Sequence, residues 1–183
     1  MKNDRLGGAE LSRLAELYSL ERYLFAVVSQ RFRDSQALSS YDFFAIVTWK
    51  SNRAKTKIKR GLAALGRSVP SLMHEVSAAT TTQAKVEVLL QVWGIGLAMA
   101  SAILTVCYPE QFTVLDYRAW KTLQQASVEG LAARYPMNAE EYLQYCQVCR
   151  RLAAQAGLSL RDFDRALWAK SWEDDLLGLV EEE

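Results

Sequence analysis

The chain has 183 residues, half of them hydrophobic and 23% charged, with a formal net charge of +1. A domain of this size buries roughly 70% of its unfolded surface, so it needs no disulfide or metal to hold it together. No apolar run reaches the roughly 18 residues of a membrane span, and the opening segment has no apolar signal-peptide core. The three cysteines, an odd number, argue for a reducing compartment rather than a disulfide framework. The expectation is a cytoplasmic, monomeric, globular protein that makes no use of a membrane.

The near-neutral total hides an asymmetry. Between Phe43 and His74 lie seven basic residues and no acidic one, and from Trp172 onward lie six acidic residues and no basic one. A basic helix and an acidic tail over residues 173–183 are expected, the tail as solvated coil.

Taken in chain order, the pattern is helical almost throughout, with three prolines and no alternating run that suggests a sheet. Leu11, Leu14, Leu17, Tyr18 and Leu24 predict an amphipathic helix from about Glu10 to Phe32. Ser39 and Asp42 cap a second helix, from about Tyr41 to Leu65, that stops at Gly66. A short helix follows Pro70, and the Thr80–Thr82 run opens another that continues through Leu90. The segment from Val92 to Ser101 reads as a turn into a helix that lasts until Cys107. Tyr108-Pro109-Glu110 ends that helix, and a new one starts near Asp116. Asn138 with Glu141, and Ser159 with Asp162, cap two later helices separated by Gly157. The fold class is all-α, about eight helices in a single helical domain over 1–183. A division into two small lobes with a cleft between them rests on fold analogy alone.

Chemistry concentrates at about 83–127. Gly94 and Gly96 allow a tight bend and close approach to a ligand. The helix after them offers unpaired N–H groups to an anion. Asp116 follows twenty residues past the second glycine; it is a candidate catalytic carboxylate and equally a candidate helix cap. If the anion is a DNA phosphate, the arrangement suggests base excision. Lys50, Arg53, Lys57 and Arg60 share one face of an unbroken helix and are candidate phosphate contacts, usually only a solvated face. Tyr117, Trp93, Trp120, Trp49 and Phe44 could line a pocket for an extruded base, against core packing as the ordinary role of each aromatic. Cys146 and Cys149 stand as C-x-x-C, but a structural zinc wants about four ligands; they are expected as buried thiols, with no metal and no cofactor. His74 is given no role. Arg161, Asp162, Asp164 and Arg165 are expected as a salt-bridged surface with Phe163, Leu167 and Trp168 turned inward.

The string Leu89-Leu90-Gln91-Val92-Trp93-Gly94-Ile95-Gly96-Leu97-Ala98-Met99-Ala100-Ser101, followed by Phe112-Thr113-Val114-Leu115-Asp116-Tyr117-Arg118, resembles the helix-hairpin-helix DNA glycosylase superfamily. The likeness is greatest to its 8-oxoguanine and endonuclease III types, over about 35 residues. It implies a fold of that kind acting on double-stranded DNA. Phosphate would bind at Gly94, Gly96 and Ala98, and Asp116 would be the essential carboxylate. Strand-cutting members carry a lysine where this chain has Ala98, so the resemblance implies a monofunctional hydrolase. Members with an iron–sulfur cluster use four cysteines, which this chain lacks. Two alternatives stay open: a non-catalytic DNA-binding module of the same fold, and a helical protein-interaction domain.

Overall fold

The structure is a computed structural model that describes residues 8–181. Every regular element among them is helical. The chain opens with α1 (Gly8–Tyr18), α2 (Leu20–Tyr23) and α3 (Ser29–Ser35). Next come α4 (Ser40–Ser51), α5 (Lys55–Ala64), α6 (Val69–Ala78) and α7 (Thr82–Leu90). The remaining helices are α8 (Leu97–Cys107), α9 (Tyr117–Gln125), α10 (Ala139–Gln155) and α11 (Leu160–Glu181).

Helix α8 is the hub. Every residue from Met99 to Cys107 is buried, as expected of a helix apolar all round. Helices α3, α4 and α7 pack against it, and Ala100, Ser101 and Ala102 keep its surface low enough for close approach. The capping signals in the sequence act as read: Ser39, Thr81, Asn138 and Ser159 each accept a backbone N–H three residues on. Gly66 takes φ +62° just past α5, the left-handed stop that glycine allows.

The structure has more helical segments than the sequence suggests because two expected helices are broken. The first, over Glu10–Phe32, is interrupted at Ser19 (φ −83°, ψ 72°) and again by a π turn at Leu24–Val28. Leu11, Leu14 and Tyr18 remain exposed, so the apolar stripe of α1 has no core to join. The wide turn adds a residue to the spiral, and Leu24 and Val28 at its two ends and Phe32 in α3 are all buried. The second helix breaks at Ser51, whose φ −163° and ψ 98° are extended, before a 3₁₀ turn at Asn52–Ala54. The expected continuous basic face does not exist: Lys50 ends α4, while Lys57 and Arg60 ride on α5. The acidic stretch is not coil either, for α11 is helical as far as Glu181, beyond which lie residues outside those described. Arg118 of α9 holds Asp175 at 2.5 Å, and Lys170 holds Asp174 one turn away on α11.

The two glycines of the motif do different work. Gly94 has φ +100°, and a Cβ there would lie 2.9–3.1 Å from Lys57 and the backbone of Ile58. Its close approach is to α5, not to a ligand. Helix α5 answers with Gly61, where a Cβ would lie 2.2 Å from the carbonyl oxygen of Trp93. Gly96 has nothing within 4 Å of such a Cβ, so it alone leaves open space. Gly61→Ala must push the turn off α5; urea unfolding should read a loss of about 1–3 kcal/mol, the range for overpacked sites. Gly96→Ala should stay within about 1 kcal/mol of the parent, since it touches only a helix cap.

Candidate functional site

Asp116 stands at the N-cap of α9, where its Oδ1 accepts the Arg118 N–H at 3.0 Å. Its Oδ2 accepts from Lys50 Nζ at 3.0 Å. The side chain is 30% exposed and Lys50 is 17% exposed. Cap and cleft carboxylate are one group here.

The segment that delivers it is buried from Phe112 to Leu115 and has no ladder of its own. Side chains from elsewhere in the fold bond to its backbone. Leu115 N–H donates to Ser101 Oγ at 2.8 Å, and that hydroxyl donates to the Ala98 carbonyl at 2.8 Å. Tyr142 OH donates to the Thr113 carbonyl at 2.8 Å. Tyr135 OH and Lys50 Nζ both donate to the Leu115 carbonyl at 3.4 Å. Burial, together with the charge of Asp116, pushes the Tyr135 phenol up to about 12, so Tyr135 serves as a neutral donor.

Asp116 opens into a cleft of about 430 Å³ lined by Glu21, Trp49, Lys50, Val114, Arg161, Asp164, Arg165 and Trp168. Four elements meet there: α2, the end of α4, the segment before α9, and α11. Arg161 of α11 pairs with Asp164 and, at 2.8 Å, with Glu21. Its guanidinium also lies over Phe25 and Trp49, 4.8 and 5.2 Å from the ring centres. Arg165 Nε reaches the same Glu21 oxygen at 2.7 Å. Burial works to raise the Glu21 carboxyl, but the two guanidiniums hold it below its ordinary value. Asp164 is only 4% exposed, and burial pushes it up to about 6 against the pull of Arg161 and Lys50.

The sequence-predicted residues divide. Asp116, Lys50 and Trp49 come together in the cleft. Lys50 is largely enclosed and forms an ion pair with Asp116 rather than standing on an open basic face. Tyr117, the foremost aromatic candidate, is exposed and packs on Trp120 and Tyr135, each 5.9 Å away. Trp120 is buried beneath it. Phe44 leans on Phe43 at 5.4 Å. Trp93 is exposed on the turn with Lys57 Nζ 4.9 Å over its ring. None of these four lines the cleft. Gly96 and Ala98 begin α8, where the cap offers no side-chain bond, and Arg53, Lys57 and Arg60 are exposed.

Sequence reasoning missed the α11 wall. Arg161 and Asp164 are not an exposed pair, and Trp168 is not packed inward but lies half exposed on the cleft. A signal was present: Leu160, Asp164 and Leu167 form the buried i, i+4, i+7 stripe of α11, and an acid on an apolar stripe asks for a reason. Cys107, Cys146 and Cys149 are buried thiols pushed up by burial. Among the described residues no three His, Cys, Asp or Glu side chains are grouped to share a metal ion, and no helix is long and apolar enough to cross a membrane.

Comparison with known protein families, with curated proteins and with solved structures finds no match. The chemistry is therefore argued from the site itself.

Ser101→Ala leaves the buried Leu115 N–H without an acceptor. Denaturant unfolding should read a loss of about 1–3 kcal/mol, the cost of an unpaired buried donor.

Proposed function

We propose that this protein is a helix-hairpin-helix type DNA glycosylase that hydrolyses the bond between a base and its sugar with Asp116 and no lyase step. The observation that carries the reading is the joining of two sites by Ser101. Its hydroxyl links the first turn of α8 to the residue before Asp116, while Asp116 opens on a base-sized cleft.

The steps follow from charge. The N-terminus of α8, free of a side-chain cap and open beyond Gly96, suits a phosphate oxygen. The target nucleotide leaves the stack and enters the cleft, where Trp49 and Trp168 offer aromatic surface. As the C1′–N bond stretches, positive charge develops on the sugar, and the Asp116 carboxylate stabilises it. Water then attacks C1′. Lys50 orients Asp116 through the 3.0 Å ion pair. Position 98 holds alanine, so among the described residues the amine this site brings to the carboxylate is that of Lys50, committed as its counter-ion. The same closed pair supports a second reading, a DNA-binding module without chemistry, in which Lys50 neutralises a purely structural cap.

Duplex oligonucleotides carrying a panel of damaged and modified bases separate the readings. The parent protein should release one of them, and Asp116→Asn should bind as well but excise at least about 100-fold more slowly, the scale of lost electrostatic stabilisation. Borohydride added during turnover should trap no protein–DNA adduct; a trapped adduct on Lys50 would overturn the hydrolytic mechanism. Excision by Asp116→Asn at the parental rate would remove Asp116 from it.

Lys57 and Arg60 flank the turn on α5. Replacing both with glutamine should weaken duplex binding for every sequence and lower the slope of log affinity against log salt by about 2, one for each lost phosphate contact. Titrations at several salt concentrations read this directly, and an unchanged slope would take α5 out of the interface.

A further inference from the structure

The mechanism above leaves the buried carboxyl of the cleft, Asp164, unused. Asp164 sits on α11, one turn beyond Arg161, with its carboxyl buried in the same wall that Asp116 faces. Two carboxylates on one cavity, in different surroundings, are what cleavage at an anomeric carbon calls for: one faces the sugar, and the other serves the leaving group.

The surroundings of the two differ in kind. Asp116 is partly solvated, caps α9 and forms an ion pair with Lys50. Asp164 is enclosed, and its one ionic partner among the described residues, Arg161, is shared with Glu21. Glu21 takes Arg165 as well, and Arg165 divides itself between Glu21 and Asp162. The groups that face Asp164 are Lys50 from α4, Asp116 from the cap of α9, Tyr145, Cys146 and Cys149 from α10, and Arg161 from its own helix. The α10 groups bring no positive charge: the two thiols and the Tyr145 phenol are driven toward their neutral forms by burial. Enclosure and a half-share of one guanidinium leave Asp164 a carboxyl that exchanges its proton close to neutrality.

We infer that Asp164 is the general acid of the excision reaction, giving its proton to the departing base while Asp116 faces the sugar. This rests on the glycosylase reading. The C1′–N bond breaks, and its electron pair leaves with the base. The Asp164 O–H breaks, and its proton goes to a ring nitrogen or oxygen of that base, which departs neutral. Water forms the new C1′–O bond and loses its proton to Asp116 and thence to solvent. Asp164 is reprotonated from solvent. The sum is nucleotide plus water giving free base plus an abasic sugar. An uncharged base needs this proton, because it would otherwise leave as an anion. A base already cationic, such as an N7-methylated purine, does not. The site is thereby assigned to uncharged bases.

The sign of the pH dependence follows. The acid works protonated, so excision of an uncharged base should fall as pH rises through about 6, where the carboxyl loses its proton. Rates for the best uncharged substrate and for its N7-methylated form are measured from pH 5 to 8 with the parent, D164N, D164E and D116N. Circular dichroism melting establishes that each variant is folded. D164N should lose about 10²–10⁴-fold on the uncharged base, the typical worth of a general acid, and lose the pH limb with it. Its loss on the methylated base should be far smaller than on the uncharged one, whereas D116N loses both. D164E should recover part of the rate and shift the limb. A carboxyl NMR titration of ¹³C-aspartate-labelled parent should show one resonance moving near pH 6 that is missing from D164N.

If D164N does not fold, the parent's limb and its NMR titration decide the matter, and absence of either overturns the assignment. An unaltered rate for D164N on the uncharged base beside an inactive D116N overturns it too, with the glycosylase reading intact. A parent that releases no base from any duplex overturns both.

Discussion

One hydroxyl sets the geometry on which the site depends. Ser101 lies inside α8, fully buried, and its Oγ accepts the Leu115 N–H while donating to the Ala98 carbonyl. It ties the first turn of α8 to the segment carrying Asp116. That segment is extended, irregular and buried from Phe112 to Leu115, so its backbone groups need partners from elsewhere. Ser101 of α8, Tyr142 of α10 and Tyr135 of the loop between α9 and α10 supply them. Position and satisfaction of the backbone are thus the same interaction, and the carboxylate that follows has little freedom of its own.

The cleft is a balance of charge in a confined space. Glu21, Asp116 and Asp164 face Lys50, Arg161 and Arg165, so its formal total is zero. The pairing is uneven, however. Lys50 serves Asp116, Arg165 serves Glu21, and Arg161 is divided. Uneven pairing with uneven burial is what separates the proton affinities of neighbouring acids. Phe25 and Trp49 hold Arg161 from its faces, which fixes the direction in which its charge is spent. A pocket so composed favours a ligand that carries its own polar edge over a purely apolar one.

The turn between α7 and α8 repeats this economy. Gly61 and Gly94 let α5 and the turn touch backbone to backbone, and Lys57 then covers Trp93. The basic helix and the glycine turn are one packed unit, with Gly96 left uncovered at its edge. Exposed basic side chains on α5 consequently share a surface with the open start of α8, without any need for an unbroken helix from Lys50 onward.

The sequence by itself determined the helical class and several of the helix ends. Helical periodicity, the caps at Ser39, Asn138 and Ser159, and the stop at Gly66 are local signals, and local physics is enough to read them. Asp116 was legible for the same reason, since a cap and its spacing from two glycines are written along one stretch of chain. What the tertiary structure decided was which side chains share a cavity. Lys50 and Asp116 are 66 residues apart, and Glu21 and Arg161 are 140 apart. No periodicity carries that information. The break at Ser51 turned Lys50 from a supposed phosphate contact into a counter-ion, and the packing of α11 on α9 made a wall of what reads in sequence as a solvated charge cluster. Burial is a property of the assembled core, and burial is what distinguishes Asp164 from Asp162, two residues away on the same helix.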